Sequence, residues 1–167
     1  MTRVNVLFIG ESPPARRNGF HHFYVMNTTL FRNTKQAFQD AFQRNYLDNN
    51  EFIKEFGKLG CYLDDLFRSP IDGVPNDLRI QFSQRCIEGL ASRIICLNPR
   101  KIVVVLVRID SFVTTAIQMA GWGDSPSLVL PFPARPDHKD RYVEGLTGFL
   151  RTCMAENVFD ENGVRSN

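Results

Sequence analysis

Lys101-Ile102-Val103-Val104-Val105-Leu106-Val107 is the stretch on which the fold turns. After its lysine it is an unbroken aliphatic, largely β-branched run, the pattern of a strand buried on both faces, and such strands lie at the centre of parallel sheets. Helices must then cover both sides. Toward the N-terminus, Phe82, Cys86, Leu90 and Ile94, with Ile87 and Leu97 alongside, repeat at helical spacing until Pro99 closes the element. Before that helix, residues 61–66 (Cys-Tyr-Leu-Asp-Asp-Leu) predict a second strand, followed by the turn-like Arg68-Ser69-Pro70-Ile71-Asp72-Gly73. A short helix opens at Asp48, with Glu51 as its capping-box partner, buries Phe52, Phe56 and Leu59, and stops at Gly60. A longer one starts at Asn27 or Thr28 and turns Leu30, Ala37, Phe38, Ala41 and Phe42 inward. The first strand is Val4 to Ile9, ended by Gly10, and residues 11–19 form a long loop.

Toward the C-terminus, Asp110 or Ser111 caps a helix burying Phe112, Ala116 and Ala120, which Gly121 ends. Leu128-Val129-Leu130 predicts a fourth strand, broken by Pro131-Phe132-Pro133-Ala134-Arg135-Pro136. Asp137 then caps a final helix with Tyr142, Val143, Leu146, Phe149, Leu150 and Cys153 facing inward. Strands alternate with helices throughout, so right-handed crossovers predict an α/β fold: a three-layer α/β/α sandwich around a four-stranded parallel sheet. Residues 1–156 form one domain, and the polar stretch 157–167 frays.

Composition agrees with one domain. The chain has 167 residues, of which 43% are hydrophobic and 23% charged, which excludes a disordered or fibrous chain. No apolar run approaches the roughly 18 residues of a membrane span, and Val4 to Ile9 is too short for a secretory core, so the expectation is a cytoplasmic protein with no membrane partner. Cys61, Cys86, Cys96 and Cys153 include no close pair, which points to buried thiols rather than disulfides or a zinc site. A net charge of +2 permits nucleic acid as a partner without requiring it.

In parallel sheets ligands bind beyond the carboxyl ends of the strands, where strand order reverses. Every strand here delivers polar groups to that rim: Gly10-Glu11-Ser12-Pro13-Pro14 after the first, Asp64-Asp65 at the second, Arg108 after the third, and Arg135 with His138 after the fourth. The first loop has neither Gly-Lys-Ser/Thr nor G-x-G-x-x-G, which disfavours phosphate-transfer nucleotide chemistry.

Through Gly10-Glu11-Ser12-Pro13-Pro14 and Leu130-Pro131-Phe132-Pro133-Ala134-Arg135, and through the order of its elements, nearly the whole chain resembles the uracil-DNA glycosylase superfamily. The resemblance implies a similar α/β/α sandwich, a water-positioning loop, a stacking aromatic, a base-reading residue on the second strand and a polar motif after the fourth. Carried over, Gly10 and Pro13 shape the water loop, Glu11 corresponds to the glutamate of some branches, and Ser12 stands where others have aspartate or asparagine. Glu11 is then the candidate for water activation, since a carboxylate accepts a proton at neutral pH and a serine hydroxyl only orients water. Phe132 replaces the family's histidine and Ala134 its serine. Losing one such preorganised donor commonly costs roughly 10²- to 10³-fold in rate, with Arg135 or His138 as candidate substitutes.

Asp64 aligns with the base-reading asparagine. An ionised aspartate only accepts hydrogen bonds, so it suits a base presenting an amino group, unless a dry pocket keeps it protonated. Phe20, Phe23 and Tyr24 lie where the stacking aromatic is expected. Arg16, Arg17, His21 and His22 on one side, and Arg135, Lys139 and Arg141 on the other, flank a path for a phosphate backbone. The resulting expectation is a monomeric base-excision glycosylase acting on DNA, or on a free nucleoside or base, with no cofactor, metal or iron-sulfur cluster. Two rivals stand beside it: a non-catalytic binding module of the same fold, and a magnesium-dependent phosphoesterase built on Asp64, Asp65 and Glu11.

Overall fold

The computed structural model describes residues 4–13, 23–25 and 28–159. It contains four strands, β1 (Val6–Gly10), β2 (Cys61–Asp65), β3 (Lys101–Val104) and β4 (Leu128–Val129), in one all-parallel sheet of order β2-β1-β3-β4. The aliphatic run quoted at the outset is therefore central, between β1 and β4. It is also shorter than its composition predicts. β3 ends at Val104, Val105 N still donates to Ile9 O at 3.0 Å, and Val107–Ile109 then forms a 3-10 turn with Val107 56% exposed. The run leaves the sheet where β4, only two residues long, stops pairing with it.

Alternation along the central strands feeds two cores. Val6, Phe8, Val103 and Val105 point to one face, covered by α1 (Thr29–Phe42), α2 (Asn49–Lys58) and α5 (Pro136–Ala155). Leu7, Ile9, Ile102 and Val104 point to the other, covered by α3 (Asn76–Leu97) and α4 (Asp110–Met119). The two layers of helices and the sheet between them make the three-layer α/β/α arrangement. The first core is aromatic, with Phe8, Phe31, Phe38, Phe52 and Phe56 almost fully enclosed and their rings in edge and tilted contact. The second is mainly aliphatic, with Phe67 the one aromatic among its buried residues.

Helix starts follow backbone geometry more than the nearest carboxylate. Thr28 Oγ1 accepts from Phe31 N at 3.1 Å, as expected of a cap, whereas Asn27 lies outside the described residues. Asp48 caps α2 through Glu51 N at 2.8 Å, but Glu51 reaches back to Leu47 N rather than to Asp48 N, so the box closes one residue early. Neither Asp110 nor Ser111 caps α4, because the 3-10 turn runs straight into the helix. Asp137 does not cap α5 either: Arg135 occupies the cap position without a side-chain bond, and Pro136 is the first helical residue, where its missing N–H is no loss. Packing continues past Glu156. Arg100 Nη1 donates to the carbonyls of Asn157 and Val158 at 2.9 and 2.8 Å, and Val158 is buried. Among the described residues, no helix is long and apolar enough to cross a membrane.

Candidate functional site

The chain passes from β1 to β2 on one side of the sheet and returns to β3 on the other, so strand order reverses between β1 and β3. A parallel sheet splays its connections at such a point and leaves a crevice. Among the described residues that crevice is a cavity of about 900 Å³, bounded by Gly10 to Ser12 after β1, Asp65 at the end of β2, Val105 to Arg108 after β3, and Phe132, Arg135 and His138 after β4. Its volume is at the upper end of the range for small-molecule sites. A smaller cleft of about 260 Å³ adjoins it, sharing Ser12, Leu30, Asp65 and Phe132 and adding Phe23, Tyr24, Leu63 and Asp64. The rim residues singled out from the sequence thus meet around two connected spaces. Pro13 follows Ser12 but is not among the lining residues.

Glu11 is not a free carboxylate. Arg108, from the turn after β3, donates through Nε to Oε1 at 2.9 Å and through Nη2 to Oε2. Arg79, at the start of α3, reaches Oε2 at 3.4 Å while donating to Val74 O and Ile71 O at 2.8 and 3.2 Å. Both oxygens are therefore engaged by guanidinium groups, Oε1 by one donor and Oε2 by two.

The two aspartates of β2 face opposite ways, as strand parity demands. Asp64 shares its face with Tyr62, on the α3 side, where Arg93 Nε donates to Oδ2 at 2.6 Å and Asp65 N donates to Oδ1 at 2.9 Å. Asp65 shares its face with Cys61 and Leu63 and pairs in register with Gly10. Its carboxyl lies over Gly10: a Cβ built on that glycine would sit 2.4 Å from Asp65 Oδ1, so any larger residue at position 10 displaces the acid. Among the described residues the Asp65 side chain accepts no hydrogen bond. Burial, reinforced by the negative charges of Asp64 and Glu11 and only partly opposed by Arg93, pushes its pKa up to about 7. Of the two aspartates, Asp65 lines both spaces and Asp64 the smaller one alone. Asp64, the residue aligned with the base reader, thus lines only the smaller space and is held by Arg93.

Phe23 is 5% exposed and locked in the first core against Phe31 and Phe56, with ring centroids 5.5 and 5.2 Å away. Tyr24 is 43% exposed, stands edge-on to Phe23, and accepts at its hydroxyl from Leu63 N at 2.8 Å. That bond covers the free edge of β2, and burial pushes the phenol up to about 12. Phe132 is half-buried against the first core while lining both spaces. His138 lies beneath it. Arg135 Nη2 donates to His138 Nε2 at 2.7 Å, which leaves the proton on Nδ1 to bond Phe132 O at 3.3 Å. Both ring nitrogens are thus engaged, and the ring is held rather than poised. Lys139 lines a separate groove with Arg135, beside α1, and Arg141 lines the main cavity. Arg16 and Arg17, together with Phe20, His21 and His22, lie outside the described residues.

The pattern of the sequence passes over Arg79 and Arg93, the two cations that α3 sends to the rim. A signal for the first exists: positions 79, 83, 90 and 94 form one stripe, and Ser83, Leu90 and Ile94 are buried, so an arginine at its head must be partnered. Among the described residues no group of three His, Cys, Asp or Glu side chains is arranged to hold a metal ion. All four cysteines are free thiols.

Fold and cleft together define an all-parallel α/β protein with its polar residues gathered at the switch point of the sheet. Comparison with protein-family models found no match, and no curated protein matches the chain.

Proposed function

We propose that this protein is a glycosylase-like hydrolase of the uracil-DNA glycosylase kind, cleaving the N-glycosidic bond of a base in DNA, or of a free nucleoside, with a nonstandard set of residues. The observation that carries the reading is the meeting of Gly10 to Ser12, Asp65 and Phe132 around two connected spaces. In this reading the base enters the smaller space, which Tyr24 and Phe132 help to line, and the rest of a nucleotide lies in the larger. Asp65 takes the part of the absent donor at position 132. With a pKa of about 7 it carries a proton for much of the time at neutral pH. As the C1′–N bond breaks, its electron pair goes to the departing base, which takes the Asp65 proton. Water adds to C1′ and yields its proton to Glu11, and solvent exchange restores both carboxyls.

The test is release of a base. Purified protein is incubated with single- and double-stranded oligonucleotides carrying uracil, hypoxanthine, xanthine or alkylated bases, and with the free nucleosides. Abasic sites are then cleaved with alkali and free bases are separated. Release from at least one substrate is expected, with Glu11→Gln lowering turnover far more than binding, and no release from any substrate overturns the hydrolase reading.

The second reading, a binding module without turnover, is favoured by one observation: both Glu11 oxygens are occupied by guanidinium groups. The magnesium-phosphoesterase reading has no comparable support, since Glu11 and Asp64 are both committed to arginines.

A further inference from the structure

The pairing of Glu11 with two arginines is unequal. Arg79 is 21% exposed and fastened to the backbone of the turn before α3 through two of its donors. Arg108 is 53% exposed, and among the described residues Glu11 is its only hydrogen-bonded partner. One guanidinium group is thus fixed and the other is tethered to the cavity only by a carboxylate. Arg135 and Arg141 face the same cavity from the start of α5. A carboxylate gripped on both oxygens by one arginine, with a second arginine on the same oxygen, occupies the position that a phosphate takes in such pairs. A phosphate brings more charge and a third oxygen.

We propose that Arg79 and Arg108 form a phosphate seat inside the rim cavity, that Glu11 fills it in the free protein, and that the phosphate of a nucleotide replaces Glu11 on Arg108. The ligand class is a nucleobase carrying a neighbouring phosphate, either as a free nucleoside monophosphate or as one unit of a nucleic acid strand. The base enters the smaller cleft, the sugar crosses Ser12 and Asp65, which line both spaces, and the phosphate meets Arg108 in the larger one. The exchange has a consequence for chemistry, because the oxygen that Arg108 gives up becomes available to water.

This inference rests on the nucleotide reading of the cavity, but binding is measured without turnover, so the two fail separately. Inorganic phosphate, a panel of 2′-deoxynucleoside 5′-monophosphates, the matching nucleosides and dinucleoside monophosphates are titrated calorimetrically at fixed ionic strength. The best monophosphate is expected to bind at least about tenfold more tightly than its nucleoside, and Arg108→Gln removes that difference. Glu11→Gln, checked for folding by thermal melting, is expected to tighten inorganic phosphate by about fivefold, because the internal competitor loses its charge. A dinucleoside phosphate that binds as well as the monophosphate assigns the seat to a strand, and one that does not assigns it to free nucleotides. An unchanged phosphate preference in Arg108→Gln overturns the proposal, as does weaker or equal phosphate binding in Glu11→Gln. Phosphate-dependent binding without any base release ends the hydrolase reading and leaves the seat standing.

Discussion

The ends of β1 and β2 adjoin each other in register, and each presents an acid to the same cavity under opposite circumstances. At the end of β1, Glu11 receives cations from two elements, the start of α3 and the turn after β3. At the end of β2, Asp65 receives none at its carboxyl: Arg93, the nearest cation, spends Nε on Asp64 and Nη2 on the backbone carbonyl of Asp65. Burial then acts on Asp65 with its neighbours Asp64 and Glu11 adding to the effect, and Arg93 opposes them only in part. The two acids are thereby placed in different surroundings by where the arginines point.

Replacing each acid by its amide should break this comparison in opposite directions. Asp65→Asn is expected to have the largest effect, lowering base release by about 10²-fold, within the range usual for a positioned proton donor. In the wild type, release should fall as pH rises through about 7 and Asp65 gives up its proton. Stability should fall over the same pH range, whereas the substitution itself raises it. Because the folded-state pKa is raised, the unfolded chain binds fewer protons between about pH 4 and 7, so the wild type loses stability over that window and the asparagine variant does not. Urea denaturation at pH 8 should find Asp65→Asn more stable by on the order of 3 kcal/mol, the difference vanishing toward pH 4.

Gly10→Ala comes next. Its Cβ would press on Asp65 Oδ1, so about 2 kcal/mol of destabilisation is expected in the same denaturation experiment, together with loss of the Asp65-dependent pH profile. Glu11→Gln should cost about 1 kcal/mol, because one of its two arginines is largely solvated, and should bring the Asp65 titration down by removing a neighbouring charge. Tyr24→Phe should be smallest, about 0.5 kcal/mol, since the Leu63 amide it uncovers lies at an exposed sheet edge where water replaces the hydroxyl.

Much of the architecture was legible because hydrophobic period and strand burial are local signals. The β-branched run after Lys101 announced a central strand, and Thr28 and Asp48 announced helix starts. The errors lie where the local signal is ambiguous. The run from Val105 to Val107 is as apolar as the strand before it, and only the shortness of β4 decides where pairing stops. Asp110 and Asp137 have the chemistry of caps, yet a preceding 3-10 turn and Pro136 had already set those helix starts. At the rim, the elements contributing polar residues were readable from strand ends, but partner choice was not. Counting by two from the buried Cys61 distinguishes Asp65 from Asp64, whereas the use of Arg79, Arg93 and Arg108 depends on how α3 and the turn after β3 lie across the sheet.

The proposed chemistry requires that Asp65, which lines the cavity, hold a proton near neutral pH. A carbon-13 titration of the aspartate side-chain carboxyls, with Asp65 assigned by comparison with Asp65→Asn, measures this directly. A midpoint near 7 is expected for Asp65. A midpoint in the ordinary aspartate range, about 4, would contradict it.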